Sequence, residues 1–182
     1  MKKYITILSI MFFTVAFLSS CEKLKSLADV EFDADFESEL NVPIQPTSLK
    51  STLGAFNKTE TIDPLSNAEF QKYQNKIKNI NVTQAEITIL EPNPSSIVVS
   101  SATLSAMMTN MPTASWSISN ETLTDGKKII LDNNQQQFDK LKAIINEKKP
   151  FDVNLQGVAN VNQGSFKVKV KFKTRVKANP LN

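Results

Sequence analysis

From Val30 to Val42 apolar and polar residues alternate almost without a break. Val30, Phe32, Ala34, Phe36, Leu40 and Val42 take one parity, with Ser38 the exception. Asp29, Glu31, Asp33, Asp35, Glu37, Glu39 and Asn41 take the other. A period of two marks a strand with one buried face. Proline cannot donate to a sheet ladder, so Pro43 and Pro46 are expected to end it. The segment from Ser165 to Ala178 has the same form with the opposite charge. Phe166, Val168, Val170, Phe172, Val176 and Ala178 alternate with Lys167, Lys169, Lys171, Lys173, Arg175 and Lys177.

Between these two segments the pattern predicts further strands at about 56–62, 80–90, 96–105 and 114–118, with a weaker one within 123–131. Apolar parity shifts between Val82 and Ile87, which a β-bulge would produce. Glu91-Pro92-Asn93-Pro94-Ser95 and Asp125-Gly126 read as turns. Phe70, Tyr73 and Ile77 recur at helical spacing behind a Ser66/Glu69 capping box, predicting a helix over 66–79. Phe138, Leu141, Ile144 and Ile145 predict a second helix over 133–147, capped by Asn133 or Asn134 and stopped at Pro150. Phe151, Val153 and Leu155 open one more strand. A hairpin through Asn162-Gln163-Gly164 is its simplest link to the last one.

These elements fit one mainly β (β-rich α+β) domain over 29–182. We expect a single antiparallel-rich β-sandwich, of which the immunoglobulin-like arrangement is one form, with two short helices. A row of like charges repels itself at the roughly 7 Å spacing of one strand face. The acidic row of the first strand and the basic row of the last cancel when the strands lie side by side, so the terminal strands are expected to be neighbours. Pairing between two molecules, a basic face for anionic lipid or polysaccharide, and calcium on the acidic row are the competing readings. Calcium fits poorly: Ala34 and Phe36 continue the core pattern inside Asp33-x-Asp35-x-Glu37, and oxygens must converge from many directions.

Composition narrows the chemistry. The 182-residue chain has no His, one Cys and four Gly. Without His it lacks the commonest general base, the commonest metal ligand and any Ser/His or Cys/His nucleophile pair. One Cys allows neither an internal disulfide nor a Cys-based zinc site. Gly-rich phosphate loops and a Gly-x-Ser-x-Gly elbow are missing too. The expectation is a protein that is not an enzyme and takes no cofactor. Met107, Met108, Met111 and Trp116 form the one Met-rich patch after the leader, a candidate mouth for an apolar ligand.

The chain opens with Lys2 and Lys3, continues with a mostly apolar run from Tyr4 to Leu18, and reaches its sole Cys at Leu18-Ser19-Ser20-Cys21. This has the form of a signal peptide. Its end resembles the lipobox of bacterial lipoproteins: an aliphatic residue, two small residues, then Cys. The resemblance implies that residues 1–20 are removed, that Cys21 carries acyl chains, and that 21–28 form a lipidated tether. It also implies a cell-envelope location. Glu22 in place of Asp after the Cys favours the outer membrane over the inner one. Loss of Lys2 and Lys3 leaves 19 basic against 18 acidic residues. A nearly neutral exported chain is not expected to bind nucleic acid. The alternating, Pro-bounded strands are also loosely similar to uncharacterised β-sandwich lipoproteins. The expected role is therefore a non-catalytic interaction or structural module held at a membrane through Cys21, with other envelope proteins as partners. A carrier or sensor of a lipid or other apolar ligand is the alternative.

Overall fold

A computed structural model describes residues 28–49 and 51–181. The leader, Cys21 and the tether up to residue 27 lie outside the described residues. Eight strands are present: β1 (Val30–Pro46), β2 (Gly54–Ile62), β3 (Ile77–Asn93), β4 (Val98–Met107), β5 (Ala114–Thr122), β6 (Lys128–Leu131), β7 (Phe151–Ala159) and β8 (Gly164–Ala178). Two short helices, α1 (Ala68–Tyr73) and α2 (Gln137–Asn146), lie in the connections.

All paired strands are antiparallel. β1 pairs β8, β2 pairs β7, β3 pairs β6 and β4 pairs β5. The chain thus folds as one long hairpin of strands that is then rolled up. The full order is β5-β4-β7-β2-β1-β8-β3-β6. It divides into two four-stranded layers, β1-β8-β3-β6 and β2-β7-β4-β5. This is the order of a jelly roll. The sandwich and its two helices are as the pattern predicts, but the immunoglobulin-like order is not adopted.

The layers join at a corner. β1 pairs β8 as far as Ile44 opposite Gly164, then passes to β2 at Gln45 opposite Ala55. Pro43 and Pro46 therefore do not end the strand. β1 is an edge over most of its length, where a missing N–H is tolerated. Gly54 is required at the corner, because a Cβ there would collide with the Ile44 side chain and the Val161 carbonyl.

Aromatic side chains join the layers. Phe166 of β8 meets Phe56 of β2 edge-on at 5.3 Å. Phe172 of β8 stacks on Trp116 of β5 at 6.0 Å and touches Phe151 of β7 at 6.4 Å. Such pairs contribute about 0.5–1.5 kcal/mol each beyond area burial. The one polar inward position on β8 is Thr174. Its hydroxyl is buried and donates to the Ala34 carbonyl at 2.7 Å.

Three local expectations are corrected. The first helix covers 68–73 rather than 66–79. Its cap is Asn67, whose side chain accepts the Phe70 N–H at 3.0 Å, while Ser66 bonds back to Asp63. Ile77 belongs to β3 opposite Ala178, since pairing with the long β8 outweighs the helical spacing. The second helix is 137–146 within the predicted 133–147, and Asn133 does contribute by accepting the Phe138 N–H at 2.7 Å. Finally, β7 and β8 form no hairpin. β7 pairs β2 and β4 in one layer, while β8 lies between β1 and β3 in the other. The predicted bulge is present as a register shift between Val82 and Gln84.

Antiparallel order also sorts the connections by end. Asp29, the connections 63–76, 108–113 and 132–150, and the end of β8 share one end of the sandwich. Connections 94–97, 123–127 and 160–163 share the other.

Candidate functional site

The outer face of β1-β8-β3 carries the charge ladder. Side chains alternate along β8, so its core-facing residues leave all six basic ones on the outside. The register places Glu31 opposite Lys177, Asp33 opposite Arg175, Asp35 opposite Lys173, Glu37 opposite Lys171 and Glu39 opposite Lys169. The ion pairs run partly on the diagonal. Lys169 lies 3.0 Å from Glu37, and Lys171 lies 2.7 Å from Asp35. Arg175 stays opposite Asp33 at 3.0 Å, and Lys177 reaches Asp29 at 3.1 Å. Long side chains lean along the strand and span such diagonals readily.

The other two lysines turn to β3. Lys173 lies 3.4 Å from Glu86, and Lys167 lies 2.7 Å from Glu91. These two carboxylates complete the ladder and were not among the residues singled out from the sequence. They stand alone in β3 without a charge period, so only the three-strand order reveals them. Glu86 is 5% exposed and is also held by the Gln84 side-chain amide at 2.8 Å.

The opposed charges shift the proton affinities of their neighbours. Asp35 beside Lys171 raises that lysine, Glu91 does the same to Lys167, and Asp33 raises Arg175, with Glu31 adding to it through space. Asp29 is the tightest node. Its carboxylate receives Lys78 at 2.7 Å, Asn179 at 2.8 Å and Lys177 at 3.1 Å. The Lys78 contact first, with Lys177 and Asn179, holds its carboxyl down to about 2 against the opposing effect of burial. The starts of β1 and β3 and the end of β8 are thereby tied to one carboxylate. Asp33, Asp35 and Glu37 point outward at strand spacing, each toward a cation of β8. Among the described residues no group of three or more acidic, Cys or His side chains is placed to hold a metal ion.

Trp116 is 4% exposed, and its indole N–H donates to the Asp132 carbonyl at 2.8 Å. It is an interior residue. Met107 ends β4, and Met108 and Met111 lie in the β4–β5 connection, where both pack half-buried against the core. Between the layers, a gap bordered by Ile87, Leu155 and Phe166 holds about 20 Å³. That is room for about one water molecule.

Larger depressions are on the outside. One of about 390 Å³ runs between the free edges of β5 and β6, along Ser115–Ser119 and Ile129–Asp132. The buried Gln137 side chain closes part of that edge by accepting the Ser115 N–H at 2.8 Å. A second, shallow depression of about 460 Å³ lies against β2, β7, β4 and β5. No described helix is long and apolar enough to cross a membrane.

No family model matches the chain. No curated protein matches it either. Among solved structures it is similar to Desmodium yellow mottle tymovirus, at 11% identity and a TM-score of 0.37 over 84% of this chain and 91% of that one. It is also similar to the decameric BFDV capsid protein, at 9% identity and a TM-score of 0.41 over 81% of this chain and 98% of that one.

Proposed function

We propose that the chain is a non-catalytic module of the bacterial cell envelope, anchored through acyl chains on Cys21. The observation that carries this reading is the sole Cys at the end of an apolar run, in Leu18-Ser19-Ser20-Cys21 behind Lys2 and Lys3. Two or three acyl chains are enough for stable attachment, where one is marginal. Asp29 begins the described domain eight residues after Cys21. A chain of that length spans at most about 29 Å, so the end of the sandwich that bears Asp29 would lie near the bilayer. The outer membrane is the preferred site, on the Glu22 argument above.

The module reading comes before the carrier reading for a reason of volume. A lipid-sized ligand needs a cavity of roughly 300–1,000 Å³. The gap between the layers is about 20 Å³, and the larger depressions of about 390 and 460 Å³ are open grooves on the outside rather than enclosed cavities. The ladder cations all have carboxylate partners within the chain, which supports a structural role for that face. A non-enzymatic role accords with the absence of His and with carboxylates engaged in ion pairs.

The test is Cys21→Ala, followed by membrane fractionation and extraction with mild detergent. The proposal expects the unsubstituted chain in the membrane fraction and the variant released. Equal membrane retention of both would overturn anchoring through Cys21.

A further inference from the structure

Among the described residues β5 and β6 end the strand order, and each pairs with one neighbour. Their free edges face each other across the seam between the layers, along the 390 Å³ groove. The Ser115 N–H reaches the Gln137 side chain rather than β4. Backbone groups of an antiparallel strand alternate in direction, and the β4–β5 register runs unshifted from Ala114 to Ser119. The N–H and C=O groups of Ser117 and Ser119 therefore point into the seam as well. On β6 the Lys127 carbonyl accepts the Ile89 N–H of β3 at 2.8 Å. By the same alternation Ile129 and Leu131 bond to β3, and Ile130 turns its backbone groups to the seam. Among the described residues these groups of Ser117, Ser119 and Ile130 have no partner in the protein.

Side chains clasp both ends of this seam. At one end the Trp116 indole donates to the Asp132 carbonyl and Gln137 takes the Ser115 N–H, both at 2.8 Å. At the other, Lys127 pairs with Glu121 and donates to the Thr122 carbonyl at 3.4 Å. Between the clasps the two edges stay apart. Packed layers lie about 10 Å from each other, and two inter-strand steps come to about 9.5 Å. The opening is thus one strand wide. Exposed edges are usually guarded by charge or proline. Residues 114–119 hold neither. Ile118 and Ile129 line the groove half-buried, and Ile130 lines it at 60% exposure.

A seam with free backbone groups on both sides calls for an occupant whose own two edges are free. The edge strand of a second folded copy is bonded along one side and brings its sheet with it, so it does not enter between β5 and β6. We propose that the seam takes an extended peptide segment of a partner protein, added as a strand antiparallel to β5 and parallel to β6. Its main chain bonds Ser117 and Ser119 on one side and Ile130 on the other. Its inward side chains are apolar and meet Ile118 and Ile129. Charge marks one end of it. Two carboxylates line the groove, Glu121 and Asp132, and no Lys or Arg does. Glu121 is held by Lys127, whereas Asp132 is exposed, with one oxygen on the Asn134 N–H at 3.0 Å. A strand antiparallel to β5 finishes beside Asp132, so a lysine or arginine is favoured near the C-terminal end of the peptide. The inference goes beyond the anchored module and stands whether or not Cys21 is acylated.

The test is fluorescence anisotropy with the full chain in mild detergent. The probes are labelled eight-residue peptides in which threonine alternates with valine, isoleucine, leucine or phenylalanine, each ending in lysine amide. The expected result is saturable binding of at least one. N-methylation of the amides that face β5 should weaken it about tenfold or more, because each lost hydrogen bond costs up to about tenfold. Glutamate in place of the lysine should weaken it several-fold. Ser117→Pro removes an N–H that β4 does not use, where an edge strand tolerates proline, and should weaken binding by about tenfold. Ile130→Lys, at an exposed position, is a second variant that blocks the seam from β6. Gln71→Ala, on the exposed side of α1, should bind as the unsubstituted chain does, and circular dichroism should confirm which chains are folded. Binding of none of the peptides, equal binding of the N-methylated peptide, or unchanged binding by the folded variants of Ser117 and Ile130 would overturn the proposal. Dimerisation that Ser117→Pro abolishes, without peptide binding, would overturn it in favour of a second copy.

Discussion

Lys173 stands opposite Asp35 in the β1–β8 register, yet its ammonium lies 3.4 Å from the buried carboxylate of Glu86 on β3. The basic row is therefore shared between two acidic neighbours. β8 is the central strand of this face, and its charges fix both of its partners. This explains why β8 does not pair with β7, the strand before it in sequence. The outward positions of β7 are Asp152, Asn154 and Gln156, which offer one carboxylate to six cations.

Reversing charge in the row should be costly and repairable. Lys169→Glu with Lys171→Glu turns attractive pairs with Asp35 and Glu37 into repulsive ones. At roughly 0.2–1 kcal/mol per cross-strand pair, urea unfolding should show a loss of about 1–3 kcal/mol. Adding Asp35→Lys and Glu37→Lys should recover more than half of it. Additive losses would mean that the rows do not interact. The loss should shrink in high salt, because these side chains are solvent-accessible.

Glu86 and Glu91 both pair with β8 lysines but differ in burial, with side-chain exposures of 6% and 67%. Glu86→Gln leaves Lys173 without its carboxylate in a nearly buried position and should cost about 1–3 kcal/mol. Glu91→Gln should change stability by no more than about 0.5 kcal/mol. Equal effects in denaturant melts would contradict the role given to Glu86.

Asp29 should govern the acid limb of stability. Its carboxyl is held at about 2, below the usual 3.8, so the unfolded chain binds the proton more readily. Its contribution is present above pH 4 and is lost as pH falls through about 2. Asp29→Asn should flatten the stability profile between those values. On the alkaline side Lys167, Lys171 and Arg175 are raised, so their contribution is complete below their ordinary values and is lost only as pH rises beyond them. Thermal melts from pH 2 to 11 should therefore show a broad plateau between the two limbs.

Trp116→Ala should cost about 3–5 kcal/mol, the range for emptying an aromatic site in a core. Its indole should emit at short wavelength and resist aqueous quenchers. Met107→Ala, at the end of β4, should cost less. Quenching of Trp116 as efficient as that of free tryptophan would contradict its interior placement.

Much of this arrangement is legible in the chain, for identifiable reasons. Parity in Val30–Val42 and Phe166–Ala178 reveals which faces are buried, and sign reveals that the terminal strands meet. The same parity applies to Trp116, which alternates with Ser115 and Ser117 and so belongs inside. The nearby methionines lie outside this alternation, at the end of β4 and in the β4–β5 connection. Short loops mislead in another way. The few residues between Ala159 and Gly164 suit a hairpin, and here they instead cross from one layer to the other. Helical spacing ends early because Ile77 gains a β8 partner.

The most direct test of the anchored-module account is the mass of the N-terminal peptide of the mature chain, purified from membranes with detergent. The account predicts a peptide that starts at Cys21 and carries a diacylglycerol on sulfur, with or without a third acyl chain on the amine. A peptide that starts at Met1, or a Cys21 with a free thiol, would contradict it.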